Sequence, residues 1–109
     1  MPSLKLTRKQ EIDLHEVLYL ESDVNYTRIF TISTACAVTS TTTLGTIQQQ
    51  LDGELFFRVN RGQVINLRHV SRYTKEGSLI IAELINGRKF VFSRRRSKDF
   101  QNRQENLNI

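Results

Sequence analysis

The chain has 109 residues and a net charge of +5, which fits one basic domain with a modest core. Its single cysteine, Cys36, excludes an intrachain disulfide framework or a cysteine-based metal site, and it is compatible with a reducing cytoplasm. No apolar run reaches the length of a membrane span and the N-terminus lacks the apolar core of a signal peptide, so we expect a cytoplasmic protein without membrane insertion.

The first third of the chain is predicted to form short strands. Compact runs of β-branched, aromatic and aliphatic residues are typical of strands, and clusters of Ser, Asp and Asn are typical of turns. The predicted strands cover residues 4–14 (with a turn near Lys9), 17–21, 26–33 and 35–41, and a turn covers residues 22–25. The strand at 35–41 is expected to pair back on its predecessor as a hairpin.

The apolar period changes from two to about 3.6 after residue 43, which predicts one short amphipathic helix. Its apolar stripe is Leu44, Ile47 and Leu51. Thr43 is the predicted N-cap, and Asp52-Gly53 is the predicted stop. We interpret the stripe as core and assign it no functional role.

The central segment FFRVNRGQVIN, residues 56–66, alternates apolar and polar side chains. This alternation predicts a strand with Phe57 and Val59 in a core and with Arg58 and Asn60 on a polar face. Arg61 then lies at a bend that Gly62 permits. Arginine and asparagine make paired hydrogen bonds to guanine and adenine edges, although a solvated strand face has the same composition.

The last third predicts two strands joined by a tight turn, followed by a helix. Asn66 could cap a single helical turn. Residues 78–84 and 89–92 are strand-like, and Asn86-Gly87 between them is a strong hairpin signal. Ser93 is the expected cap of a closing helix through Arg103, anchored by Phe100. These elements together predict a mainly antiparallel β-fold, either a sandwich or a barrel-like arrangement, with one or two short helices.

Positive charge is concentrated in two blocks. Residues 31–57 contain no Lys or Arg, whereas residues 58–73 carry Arg58, Arg61, Arg68 and Arg72 without an acid. Residues 88–103 carry Arg88, Lys89, Arg94, Arg95, Arg96, Lys98 and Arg103 against one acid, Asp99. If the fold brings these blocks together, they form a surface suited to a polyanion.

No residue pattern predicts catalysis or metal binding. His15 and His69 are the only histidines, and they are too far apart in the sequence to match the spacing of metal ligands. No Ser or Cys lies in a nucleophile-elbow motif for which a histidine could act as the base. We therefore expect no enzyme, no cofactor, no metal site and no small-molecule substrate. The aromatic side chains do not gather among the basic residues, which favours duplex DNA over stacking on single strands.

The chain resembles the LytTR family, the DNA-binding domain of bacterial response regulators of the LytR and AgrA type. Four segments carry the resemblance: VLYLESDVNYTRI, TLGTIQQQL, FFRVNRGQVINLRHV and GRKFVFSRR. The chain departs from the family pattern at Asn60, Gly62 and Gln63, where members often have His, Ser and an aromatic or apolar residue. The resemblance implies an elongated all-β fold of about ten short strands, whose loops and strand ends contact successive major grooves.

The resemblance also implies which residues contact DNA. The positions for base readout are Thr27, Arg61 and Arg95. Supporting or phosphate contacts fall at Asn25, Tyr26, Arg28, Arg58, Asn60, Gln63, Arg94, Arg96 and Lys98. Two half-sites on double-stranded DNA, bound by a homodimer, are the expected target.

We interpret residues 1–109 as a single domain, with a core of about residues 12–103 and a frayed tail at 104–109. Members of the family usually carry a receiver domain ahead of this one, so a free-standing regulator and an excised domain are both open. Two other functions also stay open at this stage. One is a small β-domain that binds RNA or single strands, and the other is a protein-interaction module whose basic face binds an acidic partner.

Overall fold

The computed structural model describes residues 3–5, 11–33 and 37–105, and these residues form ten strands and two α-helices. The strands are β1 (Ser3–Lys5), β2 (Glu11–Asp13), β3 (Val17–Asp23), β4 (Tyr26–Thr31), β5 (Val38–Ser40), β6 (Phe56–Asn60), β7 (Gln63–Asn66), β8 (Val70–Glu76), β9 (Leu79–Leu84) and β10 (Lys89–Val91). The helices are α1 (Leu44–Gln48) and α2 (Arg94–Glu105), and short 3-10 turns cover Leu14–Glu16 and Leu67–His69.

The strands form three antiparallel sheets. The largest has five strands in the order β5-β4-β3-β7-β6, the second has the order β10-β9-β8, and β1 pairs with β2. The molecule measures 43 × 27 × 24 Å along its principal axes. An elongated, mainly antiparallel β-fold is therefore confirmed, and it is layered rather than closed into a barrel.

The five-stranded sheet carries a hydrophobic cluster on each face. One cluster packs it against β1, β2 and α1, and the other packs it against the three-stranded sheet and α2. Phe56 and Phe57 are consecutive and belong to different clusters, because successive strand side chains point to opposite faces. Residues 17–20 of β3 are all buried, because this strand is central and covered on both sides.

Several local predictions are confirmed. Phe57 and Val59 are buried while Arg58 and Asn60 are partly exposed, so the predicted alternation of β6 holds. The Asn66 side chain accepts a hydrogen bond from the Arg68 amide at 3.0 Å and caps the turn Leu67–His69. Asn86-Gly87 joins β9 to β10, and Gly87 has a φ of 88°, which glycine adopts without steric cost.

The predictions for the helices need two corrections. Thr43 occupies the N-cap position of α1 but makes no capping hydrogen bond through its side chain, and α1 ends at Gln48 instead of continuing to Asp52. The following residues make i to i+3 bonds, such as Leu51 N to Gln48 O at 3.0 Å, which tighten the chain out of the α-helix. Ser93 does cap α2, accepting from the Arg96 amide at 3.3 Å, and α2 continues two residues beyond the predicted Arg103.

The strand boundaries near the N-terminus also differ from the prediction. Residues 4–14 contain two short paired strands instead of one, and the predicted turn at Lys9 lies outside the described residues. Strand β3 extends to Asp23, which leaves Val24 and Asn25 as the turn to β4. The left-handed conformation falls on Val24 (φ 55°). This conformation is sterically unfavourable for a β-branched residue.

Candidate nucleic-acid interface

Arg61 lies at the tip of the β6–β7 hairpin. The turn consists of Arg61 and Gly62, and the Arg61 side chain is exposed. The turn is tied to the central strand because the Ser22 amide donates to the Gly62 carbonyl at 2.8 Å. The hairpin therefore presents a cationic side chain on a backbone that is hydrogen-bonded to the neighbouring strand.

Arg58 lies directly beneath this turn and is only partly exposed. Its Nη1 donates to the Gln48 Oε1 at 2.9 Å, and its Nη2 donates to the Arg61 carbonyl. Its Nε lies 3.4 Å from the Asn60 carbonyl oxygen. Burial, followed by the nearby charges of Arg96 and Arg61, lowers the pKa of the Arg58 guanidinium. The side chain predicted to hold a phosphate is thus engaged with its own chain.

Asn60 and Gln63 belong to a polar network that crosses the sheet. Asn60 Nδ2 donates to Gln63 Oε1 at 2.8 Å, and Gln63 Nε2 donates to Glu21 Oε2 at 2.6 Å. The same Glu21 oxygen accepts from Arg88 Nη2 at 2.8 Å, and Arg88 Nη1 donates to the Tyr19 hydroxyl at 2.5 Å. The two predicted supporting residues are therefore positioned by three others.

Sequence reasoning missed the roles of Glu21 and Arg88 in this network. Arg88 belongs to the second basic block by sequence, but its guanidinium lies 4.7 Å from the Tyr19 ring centre and is paired with Glu21. Burial lowers the pKa of Arg88, but hydrogen bonds and charge from Tyr19 and Glu21 outweigh it, so the net direction is upward. Glu21 pairs with Gln63 across β3 and β7, and this pairing is the signal that could have placed Glu21 in the network. Finding it requires knowledge of the register between the two strands.

Helix α2 brings the second basic block to the first. The Ser93 amide donates to the Val59 carbonyl at 2.8 Å, which fixes the start of α2 beside β6. Ser97 and Phe100 are buried against the core, whereas Arg95 on the opposite side of the helix and Arg94 in its first turn are exposed. The apolar anchors of the helix thus decide which of its cations face solvent.

Six cations at this end of the molecule form no ion pair with an acidic side chain of the described residues. The four ion pairs among the described residues join Lys5 to Glu11, Arg28 to Asp23, Arg72 to Glu83 and Arg88 to Glu21. None of these pairs includes the cations around the β6–β7 turn and the start of α2, namely Arg58, Arg61, Arg94, Arg95, Arg96 and Lys98, which we call the basic face. Arg58 is close enough to Arg61 and to Arg96 for its charge to be repelled by each of theirs. The fold therefore brings parts of the two basic blocks together, which is the condition stated for a surface suited to a polyanion.

The β3–β4 hairpin, the third predicted contact region, is arranged differently from expectation. Thr27 is completely buried, and its hydroxyl donates to the Thr42 carbonyl at 2.7 Å. Side chains of β4 alternate between an exposed and a buried face of the sheet, and Thr27 lies on the buried face. The prediction that Thr27 reads a base does not fit this arrangement. Asn25 and Tyr26 are exposed, and Arg28 lies 3.0 Å from the Asp23 carboxylate at the surface.

Other site chemistry is sparse in the part of the chain that is described. Within residues 3–5, 11–33 and 37–105, no group of three or more His, Cys, Asp or Glu side chains could hold a metal ion, and Cys36 lies outside these ranges. A His69 ring nitrogen lies 2.6 Å from the His15 carbonyl oxygen. No helix in the described ranges has the length and apolar character needed to cross a bilayer.

Comparisons with known proteins give one family. The model of the LytTr DNA-binding domain matches residues 8–105. A solved LytTr DNA-binding domain from Bacillus cereus has a TM-score of 0.74 and 21% identity, and the match covers 92% of each chain. At this identity the structural match shows the fold alone, and no curated protein matches the sequence. Because the family model covers most of its length, the chain belongs to the LytTR family of DNA-binding domains.

Proposed function

We propose that this domain binds double-stranded DNA sequence-specifically as part of a bacterial transcription regulator. Arg61 and Arg95 are the proposed base-reading side chains, because arginine pairs well with the guanine edge in the major groove. Arg94, Arg96 and Lys98 are proposed phosphate contacts, which orient the protein without reading sequence. Asn25, Tyr26 and Arg28 of the β3–β4 hairpin are proposed as a supporting contact.

The observation that carries this proposal is the meeting of two exposed arginine-bearing tips. Arg61 is on a hairpin and Arg95 is at the start of a helix, and the Ser93–Val59 hydrogen bond holds the two elements side by side. Among the described residues neither arginine has an acidic partner that DNA would need to displace. A major groove admits a two-stranded ribbon or a helix, so both tips have a suitable shape.

The distribution of aromatic rings supports duplex DNA as the target. Phe57, Phe92 and Phe100 pack against one another inside the core, and Tyr73 packs on Phe100 at 5.2 Å between ring centres. Single-strand binders need aromatic platforms on which bases stack. Tyr26 is half exposed, but it lies on the β3–β4 hairpin, where no other aromatic ring of the described residues packs against it.

The wider biological setting is part of the same proposal. We place the protein in the bacterial cytoplasm as the output domain of a response regulator, with no catalytic role and no cofactor. Two copies would occupy two half-sites, because successive grooves on one face of DNA repeat about every 34–36 Å, within reach of a second copy of a domain this size. Footprinting on a selected duplex should show two protected half-sites, and protection of a single half-site would contradict binding by two copies.

Selection of random duplex DNA by the purified domain tests sequence-specific binding. At about 0.15 M salt, where exposed nonspecific contacts are partly screened, we expect a repeated motif to be enriched. Arg61→Ala should reduce affinity for that motif by about 1–3 kcal/mol and blur the selected sequence. Arg68→Ala is the matched control, because Arg68 is exposed and lies outside the basic face.

Other outcomes of the selection point to the other functions. Equal losses on selected and random duplexes in Arg61→Ala would remove the base-reading role of Arg61. Binding without any motif would leave a charged surface, and preference for single strands in competition would favour an RNA or single-strand binder. Binding that ignores all nucleic acid would favour an acidic protein partner.

Arg96→Ala tests the proposed phosphate contacts. We expect weaker binding to all duplexes alike, and a plot of log K against log salt that is shallower by about 1, because one fewer counterion is released. Fluorescence anisotropy at several salt concentrations measures both quantities. Lys75→Ala removes an equal charge from exposed β8 and should leave the slope unchanged. An unaltered slope in Arg96→Ala would count against a phosphate contact.

A further inference from the structure

We propose that Arg58 is a positioning residue that holds the Arg61 turn in its DNA-reading form, and that Gln48 of α1 supports it. This inference rests on the proposed function, since it deepens the role given there to Arg61. It replaces the phosphate contact predicted for Arg58. It also gives α1 a role in recognition, although the apolar stripe of that helix is part of the core.

The contacts of Arg58 converge on the backbone of the turn. Its guanidinium donates to the carbonyl oxygen of Arg61 and approaches that of Asn60 at 3.4 Å. On the other side of the turn, Asn60 Oδ1 accepts from the Gly62 amide at 2.9 Å. Two consecutive peptide groups are thereby held by side chains, Asn60–Arg61 through its carbonyl and Arg61–Gly62 through both its carbonyl and its amide. A planar guanidinium can serve several acceptors at once with one rigid group.

Gln48 fixes the far side of the guanidinium. Its Oε1 accepts from Arg58 Nη1 at 2.9 Å, which leaves Nη2 directed at the Arg61 carbonyl. Gln48 is the last residue of α1, and Ile47 beside it is buried in the hydrophobic cluster between the five-stranded sheet and β1, β2 and α1. The turn is therefore connected through two side chains to a helix that is anchored in the core.

The charge of Arg58 also acts on Arg61. All the acceptors of Arg58 are neutral carbonyl or amide oxygens, so its charge stays uncompensated near Arg61 and Arg96. Repulsion between like charges favours an Arg61 side chain that extends away from the protein, toward a polyanion. The same repulsion would make the site unfavourable unless an anion binds there, which agrees with a DNA-facing role.

The expected benefit is preorganisation. A hairpin tip without these contacts would have to become ordered when DNA binds, and this entropy loss weakens binding. Loss of Arg58 should therefore reduce affinity for the selected motif and the discrimination against random duplex. The salt dependence should stay that of the unaltered protein, because no phosphate contact is lost.

Arg58→Lys is the decisive variant because it preserves the charge but not the fork of donors. Lysine has one cationic centre and cannot reproduce the guanidinium contacts with both Gln48 and the turn. We expect about a tenfold loss of affinity for the selected motif, the effect of one or two hydrogen bonds, with an unchanged salt slope. Gln48→Leu should give a similar but smaller loss, and Arg68→Lys should give none. Thermal unfolding of each variant checks that the fold is intact.

Backbone dynamics of the free protein provide a readout that does not depend on DNA. The ¹⁵N relaxation of the Arg61 and Gly62 amides should show greater motion in Arg58→Lys and Gln48→Leu than in the unaltered protein, because the turn loses its supports. Unaltered turn dynamics, or an affinity that lysine preserves at position 58, would overturn the positioning role. A shallower salt slope in Arg58→Gln with rigid turn amides would restore the phosphate contact instead.

The two proposals can fail separately. If the unaltered domain does not discriminate between duplex sequences, the proposed function fails, and so does the DNA-reading part of this inference. The amide relaxation still decides whether Arg58 holds the turn. If the unaltered domain discriminates and Arg58→Lys does so equally well, only the positioning role is wrong.

Discussion

Replacing Phe92 with alanine should reduce the free energy of unfolding by about 3–5 kcal/mol, the usual range for an aromatic side chain truncated in a core. Phe92 is completely buried, and the centre of its ring lies 5.5 Å from the ring centre of Phe57 and 5.2 Å from that of Phe100. These three rings join β6, the end of β10 and α2. The cavity left by alanine would open at the point where all three elements meet.

Urea unfolding followed by circular dichroism measures this loss through the shift of the midpoint. Val91→Ala is the control, because Val91 is the preceding residue and half exposed, and it should change stability by no more than about 0.5 kcal/mol. A loss below about 1 kcal/mol in Phe92→Ala would mean that the three rings are not packed as described. Because Phe92 packs against α2, which carries part of the basic face, the protein that remains folded should also bind DNA more weakly.

Asn66→Ala should lower the free energy of unfolding by about 2–4 kcal/mol, because it leaves polar groups unsatisfied. The buried Asn66 amide donates to the Val17 carbonyl at 2.9 Å and accepts from the Arg68 amide at 3.0 Å. One side chain therefore caps the turn after β7 and ties that turn to the start of β3. Alanine can do neither.

The same urea titration tests this prediction, with Asn102→Ala as a matched control. Asn102 is exposed on α2, so removal of the same amide there should change stability by no more than about 0.5 kcal/mol. An equal effect at the two positions would show that the Asn66 hydrogen bonds are replaced by solvent. The expected contrast depends on the burial of Asn66, because water compensates an exposed amide and cannot reach a buried one.

Much of the fold was predictable because it depends on local chemistry. The alternation of Phe57 to Asn60, the Asn86-Gly87 turn and the Asn66 and Ser93 caps each act within a few residues, and the structure confirms them. Boundaries were predicted less well. Helix α1 is shorter than its apolar pattern, because residues after Gln48 tighten into i to i+3 turns while Leu51 still packs against the core.

The site was only partly predictable from the sequence. Exposure of Arg61 follows from the turn that contains it, and the two basic blocks are legible as composition. The contacts of Arg58 and Thr27 could not be predicted from the sequence. Arg58 bonds to Gln48 and Thr27 bonds to the Thr42 carbonyl, and only the fold brings these groups together. Arg88 likewise looked like a free cation, and its partner Glu21 is 67 residues away in the chain.

By itself, the sequence determined the alternation of β6, the Asn86-Gly87 turn, the caps at Asn66 and Ser93 and the amount of positive charge, since these follow from side-chain chemistry over a few neighbouring residues. Only the tertiary structure decided which cations are neutralised, which support a backbone turn and which stay open to a partner. The physical reason is that a hydrogen bond or an ion pair needs its two groups within a few ångströms, and strand register sets that distance between residues far apart in the chain.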